Sequence, residues 1–324
     1  CFMETIFNVV LPVFALIFSG WLAARIGILS GESTDALNKF VFFIAMPVLL
    51  FNVVATLDPK DVFNWTFIIA FLGANIIVLI VAILFSMIFF KRDLADASLF
   101  AMGSVFGNSV YMGIPLSMIA YGNPGLTPAI VASVFQGIAL IIPVVILIEL
   151  GVNKSSGGAG IAIKLARSLL KNPVMMGPMV GFAWSLTGWD LPLPVATFSE
   201  ILGGAAGPCA LFAIGLFLYK KPLSEGVGEV GTLVILKLLI QPIIAWVLLF
   251  HVFTVDPAFA KVGVLLSALP TGANCFVIAQ QYGRFVQRTS AAILISTIVA
   301  VVTLSVILNL PIMASFKGQV LYIF

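Results

Sequence analysis

Two asparagines, Asn108 and Asn274, lie inside segments that are otherwise apolar, and each belongs to a run that should break a helix. The first run is Phe106-Gly107-Asn108-Ser109-Val110-Tyr111-Met112-Gly113-Ile114-Pro115; the second is Leu269-Pro270-Thr271-Gly272-Ala273-Asn274-Cys275-Phe276. Proline removes a backbone donor and glycine loosens the chain, so a helix passing through either run is expected to stop and restart. In hydrocarbon an unpaired backbone group costs several kcal/mol, and an interruption survives only where it is buried in protein or faces a wet cavity. The restarted half-helix presents free N–H groups and a partial positive charge, which suits an anion. An asparagine amide placed there either donates to a substrate or caps its own half-helix. Two broken helices at corresponding places in two halves of a chain are the sequence sign of a transporter's binding site.

The neighbours of the asparagines extend this set. Ser109, Tyr111 and Thr271 carry hydroxyls that serve the cavity or bond back to a helix carbonyl, and Gln136 either faces the cavity or links helices. With Gly272 and Cys275 these residues make the expected substrate site; Cys209 and Cys275 read as small packing residues rather than nucleophiles. Lys237 lies near the middle of an apolar segment, in Leu236-Lys237-Leu238-Leu239-Ile240-Gln241-Pro242, where an ionisable residue is functional by default. It neutralises the carbonyl ends of the broken helices or the substrate, exchanges a proton during transport, or snorkels to the membrane surface. Asn75 stands 162 residues earlier as its mate, and the two are the expected groups for coupling or charge compensation.

The elements that must position these residues are membrane helices. Hydrophobic residues make up 61% of the 324 and charged residues 9%, against about 25% charged in a soluble domain. The apolar runs are long and continuous, without the ten-residue alternation of a barrel, so the spans are helices. Ten are expected: Thr5 to Ala24, Ala36 to Ala55, Trp65 to Phe90, Leu94 to Tyr121, Thr127 to Leu150, Pro173 to Thr187, Ser199 to Tyr219, Val230 to Phe253, Pro257 to Tyr282 and Ser290 to Met313. The fourth and ninth contain the breaks, and Pro47 and Pro208 kink the second and seventh.

The chain repeats itself. Leu11-Pro12-Val13 is answered by Asn172-Pro173-Val174, Ser19-Gly20-Trp21 by Val180-Gly181-Phe182, Gly27 by Gly188 and Pro47 by Pro208, all 161 residues later; Asn108 and Asn274 are 166 apart. The organisation is a first five-helix repeat over 1–150, a cytoplasmic linker with a basic surface helix over 151–171, and a second repeat over 172–324. Five is odd, so the second copy enters the membrane from the other side and the repeats are inverted. Loops after odd-numbered spans carry twelve Lys and Arg residues and the opposite side three, which places both termini outside and the linker in the cytoplasm of a cell (inner) membrane.

Several function classes are set aside. The net charge of +3 is small and spread over loops, which gives no support to a nucleic-acid partner. No removable signal peptide is expected, and the three cysteines show no pairing for a disulfide or a metal. His251 is the single histidine, and neither HExxH, GxSxG nor a phosphate-binding loop occurs, so no enzyme, metal or cofactor is expected. A non-transporting membrane sensor using the same cavity is the alternative to a transporter.

Pro270-Thr271-Gly272-Ala273-Asn274 with Ala279-Gln280-Gln281-Tyr282-Gly283, Gly107-Asn108-Ser109 with Gly113-Ile114-Pro115, and Lys237 with Pro242 resemble the auxin efflux carrier family of membrane transport proteins, over nearly the whole chain. Bacterial members of that family are often described as malonate-type permeases. The resemblance implies an all-α fold of ten transmembrane helices in two inverted repeats, with helices 4 and 9 broken and crossed as in sodium/proton antiporters and bile-acid symporters. It also implies a scaffold part, a transport part and elevator-type alternating access. Asn108 and Asn274 match the crossover asparagines that lie near the substrate carboxylate in plant members. The chain lacks the long hydrophilic loop of the plant exporters, which favours a compact carrier of small organic anions such as malonate or malate. The expected partners are that anion, membrane lipid and, through the scaffold helices, a second copy in a homodimer. Coupling to H+ or Na+ is open, though no acidic pair for a cation stands in the spans.

Overall fold

The structure, a computed structural model, describes residues 11–29, 31–56, 63–152, 173–219 and 226–313, which are almost entirely helical; no β-strand occurs among them. The helices are α1 (Leu11–Arg25), α2 (Ser33–Ala55), α3 (Trp65–Phe89), α4 (Leu94–Val105), α5 (Ser109–Tyr121), α6 (Asn123–Val152), α7 (Pro173–Ser185), α8 (Leu193–Leu218), α9 (Val227–Val252), α10 (Pro257–Ser267), α11 (Ala273–Tyr282) and α12 (Val286–Leu308). Six of them, α2, α3, α6, α8, α9 and α12, run 23 to 30 residues and are apolar enough to cross a membrane, as expected of an integral membrane protein. The two expected interruptions are present: the fourth segment divides into α4 and α5, and the ninth into α10 and α11. The basic surface helix expected within 151–171 lies outside the described residues.

Polar residues at the helix starts set the boundaries. Asn64 accepts from Phe67 N at 3.1 Å, Asp93 from Asp96 N at 2.9 Å and Asp256 from Ala258 N at 2.9 Å, each side chain satisfying a donor that the helix leaves free. Gly27 and Gly188 follow α1 and α7 with φ of +81° and +67°, a left-handed turn that a side chain would resist.

The helices pack in two groups. In one, α1 lies along α8, and α2 lies along α7 and the start of α8; in the other, α3, α4, α5 and α6 pack with α9, α10, α11 and α12. The first group is held by backbone contact at glycines. A Cβ on Gly20 would stand 2.0 Å from Phe212 O, and one on Gly181 would stand 2.6 Å from Phe51 O. Small residues let membrane helices approach this closely, so dispersion replaces the absent hydrophobic drive. The groups meet mainly where α5 touches α8 and α2 touches α6.

Charged residues collect at one end of the second group. Glu229, at the start of α9, accepts from Arg92 through both oxygens, from Nε at Oε1 at 2.6 Å and from Nη2 at Oε2 at 3.0 Å, and Oε2 also lies 2.6 Å from Arg288 Nε, off the N–H direction, as an ion contact. Arg284 pairs with Asp96 at 2.7 Å and with Asp93. The hydrogen bond to Glu229, ahead of the charges of Glu229, Asp96 and Asp93, holds the Arg92 guanidinium above its ordinary pKa despite partial burial. These pairs tie the α3–α4 loop to the starts of α9 and α12.

Candidate functional site

The two interruptions lie against each other. Asn108 N donates to Pro270 O at 2.9 Å and Gly272 N donates to Phe106 O at 2.9 Å, which makes an isolated antiparallel bridge between Gly107 and Thr271. Backbone freed by each break is thus paired with the other break, as burial in hydrocarbon demands. Thr271 is fastened further, its hydroxyl donating to Gly103 O at 2.8 Å and its N–H to Ser296 Oγ at 3.1 Å. The approach leaves no room for side chains: a Cβ on Gly107 would stand 3.0 Å from Leu266 O, and one on Gly272 would stand 3.0 Å from Gly107 O.

The half-helices also end in carbonyls, and side chains from other helices satisfy these. At the end of α10, Ser267 O accepts from Lys237 Nζ at 2.7 Å. At the end of α4, Val105 O accepts from Gln241 Nε2 at 2.9 Å and Gln136 Nε2 at 3.5 Å. Asn75 Oδ1 accepts from both glutamines, at 3.0 Å from Gln136 and 2.8 Å from Gln241, while its Nδ2 donates to Phe71 O at 2.7 Å. Gln136 Oε1 then accepts from Ser109 Oγ at 2.7 Å, and Gln241 Oε1 from Lys237 Nζ at 2.6 Å. A single hydrogen-bonded chain therefore runs Ser109, Gln136, Asn75, Gln241, Lys237. It is buried throughout; Lys237, Gln241 and Asn75 have no exposed surface. The helix widens into a π turn over Leu236–Ile240, with Gln241 N bonded to Leu236 O, at the place where these two side chains leave it.

A small pocket, open at its mouth, lies beside the bridge. Asn108, Ser109, Tyr111, Gln136, Gly272 and Asn274 line it, together with the Gly107 backbone and Ser133. No charged side chain is among the lining residues. The Asn108 side chain caps nothing, although the residue is only 7% exposed. Neither its amide nor that of Asn274 has a hydrogen-bond partner among the described residues, and the same holds for the Tyr111 hydroxyl. Ser109 differs: its one proton is committed to Gln136, so it offers lone pairs to the pocket. Ser133 bonds back to Ala129 O at 2.6 Å.

Of the residues singled out from sequence, Asn108, Asn274, Ser109, Tyr111, Gly272 and Gln136 come together around this pocket. Thr271 and Cys275 stand behind it, the first bonded to Gly103 O and the second buried with Sγ 3.7 Å from Met102 O. Lys237 and Asn75 also lie behind the lining, in the polar chain, and Lys237 is fully buried instead of extending outward. Sequence reading passed over Gln241, Ser267, Ser296 and Ser133. Gln241 had a signal, since it follows Lys237 by one helical turn and shares its face; Ser133 likewise precedes Gln136 by three residues. Ser267 acts through its carbonyl, which no residue type announces.

The chain is similar to known membrane transport proteins. A family profile described as "Membrane transport protein" matches residues 5–308. A protein of Rhizobium meliloti named "Putative malonate transporter" is 32% identical over 308 residues, which cover 95% of this chain and 96% of the relative. "Uncharacterized transporter YfdV" of Escherichia coli K12 is 25% identical over 303 residues, 90% and 93% of the two chains. "Auxin efflux carrier component 5" of Arabidopsis thaliana is 23% identical over 306 residues, 84% and 87%.

Proposed function

We propose, from the premise that the chain belongs to the membrane transport protein family, that it is a secondary active transporter of a small organic anion, a mono- or dicarboxylate such as malonate or malate. The observation that carries the reading is the pocket in which two unpartnered amides, Asn108 and Asn274, meet at the paired breaks. Amides with no partner among the described residues are free to donate, and a carboxylate accepting from both of them and from the start of α11 is held without a charged side chain in the pocket wall. The name of the Rhizobium relative supports a short dicarboxylate as the first substrate to try.

The division into two groups supports alternating access. The pocket belongs to the group of α3–α6 and α9–α12, which meets the glycine-packed group of α1, α2, α7 and α8 over limited contact, so an elevator-type displacement carries the bound anion between faces. Ten spans in two inverted five-helix repeats suit this reading. In support, the contact of Gly20 with Phe212 recurs as Gly181 with Phe51, both partners shifted by 161 residues, and the left-handed Gly27 recurs as Gly188. With the charge balance of the loops, both termini face outward from an inner membrane.

The test is uptake of labelled malonate into proteoliposomes containing the purified chain. Saturable uptake that falls at least tenfold in Asn108→Ala and in Asn274→Ala is expected. Wild-type uptake in both variants overturns the site, and binding without any uptake replaces the transporter by a ligand sensor.

A further inference from the structure

We propose that Lys237 couples this carrier to protons: the pocket takes up its anion together with one proton, which is held on Lys237 Nζ. The inference rests on the transporter reading above and adds the coupling ion to it.

Lys237 has no exposed surface, yet its Nζ is 3.5 Å from where a Cβ on Gly107 would stand, and the Gly107 backbone lines the pocket. One glycine, with no side chain, therefore separates the amine from the anion site. The chain of Gln241, Asn75 and Gln136 connects the same amine to Ser109 at the pocket wall.

Nζ has two acceptors, Gln241 Oε1 at 2.6 Å and Ser267 O at 2.7 Å. An uncharged amine has two N–H groups and matches them; an ammonium has three, and its third finds no acceptor among the described residues. Both acceptors are neutral. Of the helices packed around Lys237, α3 holds no titratable side chain, and α4 holds only Asp96, which pairs with Arg284. On α12 there is only Arg288, paired with Glu229; on α10 there is Lys261, nearly two turns from Ser267. On α11, Tyr282 bonds Glu149, and Cys275 is a buried thiol with Sγ 3.7 Å from Met102 O. On α9 itself, Glu229 is two turns away and engaged, and His251 lies at the far end.

A charged Lys237 thus lacks a counter-charge among the described residues, and an anion over Gly107 supplies it. In the balanced step, a carboxylate enters from water, one proton moves from water to the Nζ lone pair, and the loaded site gains no net charge for a monoanion. Release of the anion returns the proton to water on the other side, and the carrier resets with the matched amine.

The experiment is titration calorimetry of the purified full chain with malonate, in two buffers of different ionisation enthalpy and over a pH series. In wild type, heats are expected to differ between buffers by up to one proton taken up per malonate, with affinity weakening about tenfold per pH unit on the alkaline side. Lys237→Arg, which stays charged, is expected to bind malonate with equal heats in both buffers and no alkaline loss. Equal heats in wild type overturn the inference while leaving the anion site standing, and so does proton uptake that persists in Lys237→Arg or Lys237→Met, which assigns it to malonate itself. Absence of malonate binding in wild type overturns the underlying reading of the site, and this inference with it.

Discussion

Gln136 and Gln241, from different helices, grip the same two oxygen atoms: each donates through Nε2 to Asn75 Oδ1, at 3.0 and 2.8 Å, and to Val105 O, at 3.5 and 2.9 Å. With both nitrogens turned inward, both amide oxygens must point outward and need donors. Ser109 on the pocket side and Lys237 on the other supply them. The arrangement closes the end of α4 and fixes the direction of every hydrogen bond in the chain.

Gln241→Leu keeps the volume of the side chain and removes these bonds. Val105 O keeps only the long bond from Gln136, Lys237 loses one of two acceptors, and all remain buried. The expected cost is about 1–3 kcal/mol for stranded buried groups, read as a lowered midpoint in thermal unfolding of the detergent-solubilised protein. A midpoint equal to wild type would mean that the chain does not hold the break.

Asn108→Ala and Asn274→Ala should separate binding from folding. Neither amide has a partner among the described residues, so stability is expected to stay within about 0.5 kcal/mol of wild type. Malonate affinity is expected to fall roughly tenfold for each, the worth of a hydrogen bond to a charged acceptor. Equal loss of stability and affinity would assign the amides to the fold instead.

Much of this site is readable in the amino-acid sequence itself. Pro270, Gly107 and Gly272 mark the breaks because backbone chemistry is written in residue type, and Asn108 and Asn274 stand out because polar groups are rare in apolar runs. The pairing of Gly107 with Thr271 is not readable, since backbone hydrogen bonds between distant segments leave no trace in side chains. The same blindness hides Ser267 O and Val105 O, and without them Lys237 and Gln136 keep several readings. Thr271 shows the limit of residue type: a hydroxyl beside a break looks like a ligand, and the structure turns it to Gly103 O.

Gly272→Ala tests whether the close approach matters. The new methyl would stand 3.0 Å from Gly107 O and 3.2 Å from a Phe106 ring carbon, so the bridge must open by a few tenths of an ångström. Malonate uptake is expected to drop at least tenfold with the protein still folded, because a small misplacement of binding groups is costly. Gly204→Ala, with nothing within 4 Å of its Cβ, is the control and should transport as wild type.

Glu229→Gln tests the charged end of the pocket-bearing group. Glu229 is 6% exposed and faces Arg92 and Arg288, so the neutral amide leaves two guanidinium groups near each other without their shared counter-charge. Both arginines are partly exposed, with 29% and 27% of their side-chain surface open, so water screens part of this cost. An effect between that of a surface pair and a buried pair is expected, about 1–2 kcal/mol. Because the repulsion is screened, the loss of unfolding midpoint should shrink as salt is raised beyond physiological strength. A salt-independent loss would point to packing around Glu229 rather than charge. No loss at any salt would mean that Arg92 and Arg288 find other partners when it is neutralised, and that the tie between the α3–α4 loop and the starts of α9 and α12 is carried by Arg284 with Asp93 and Asp96.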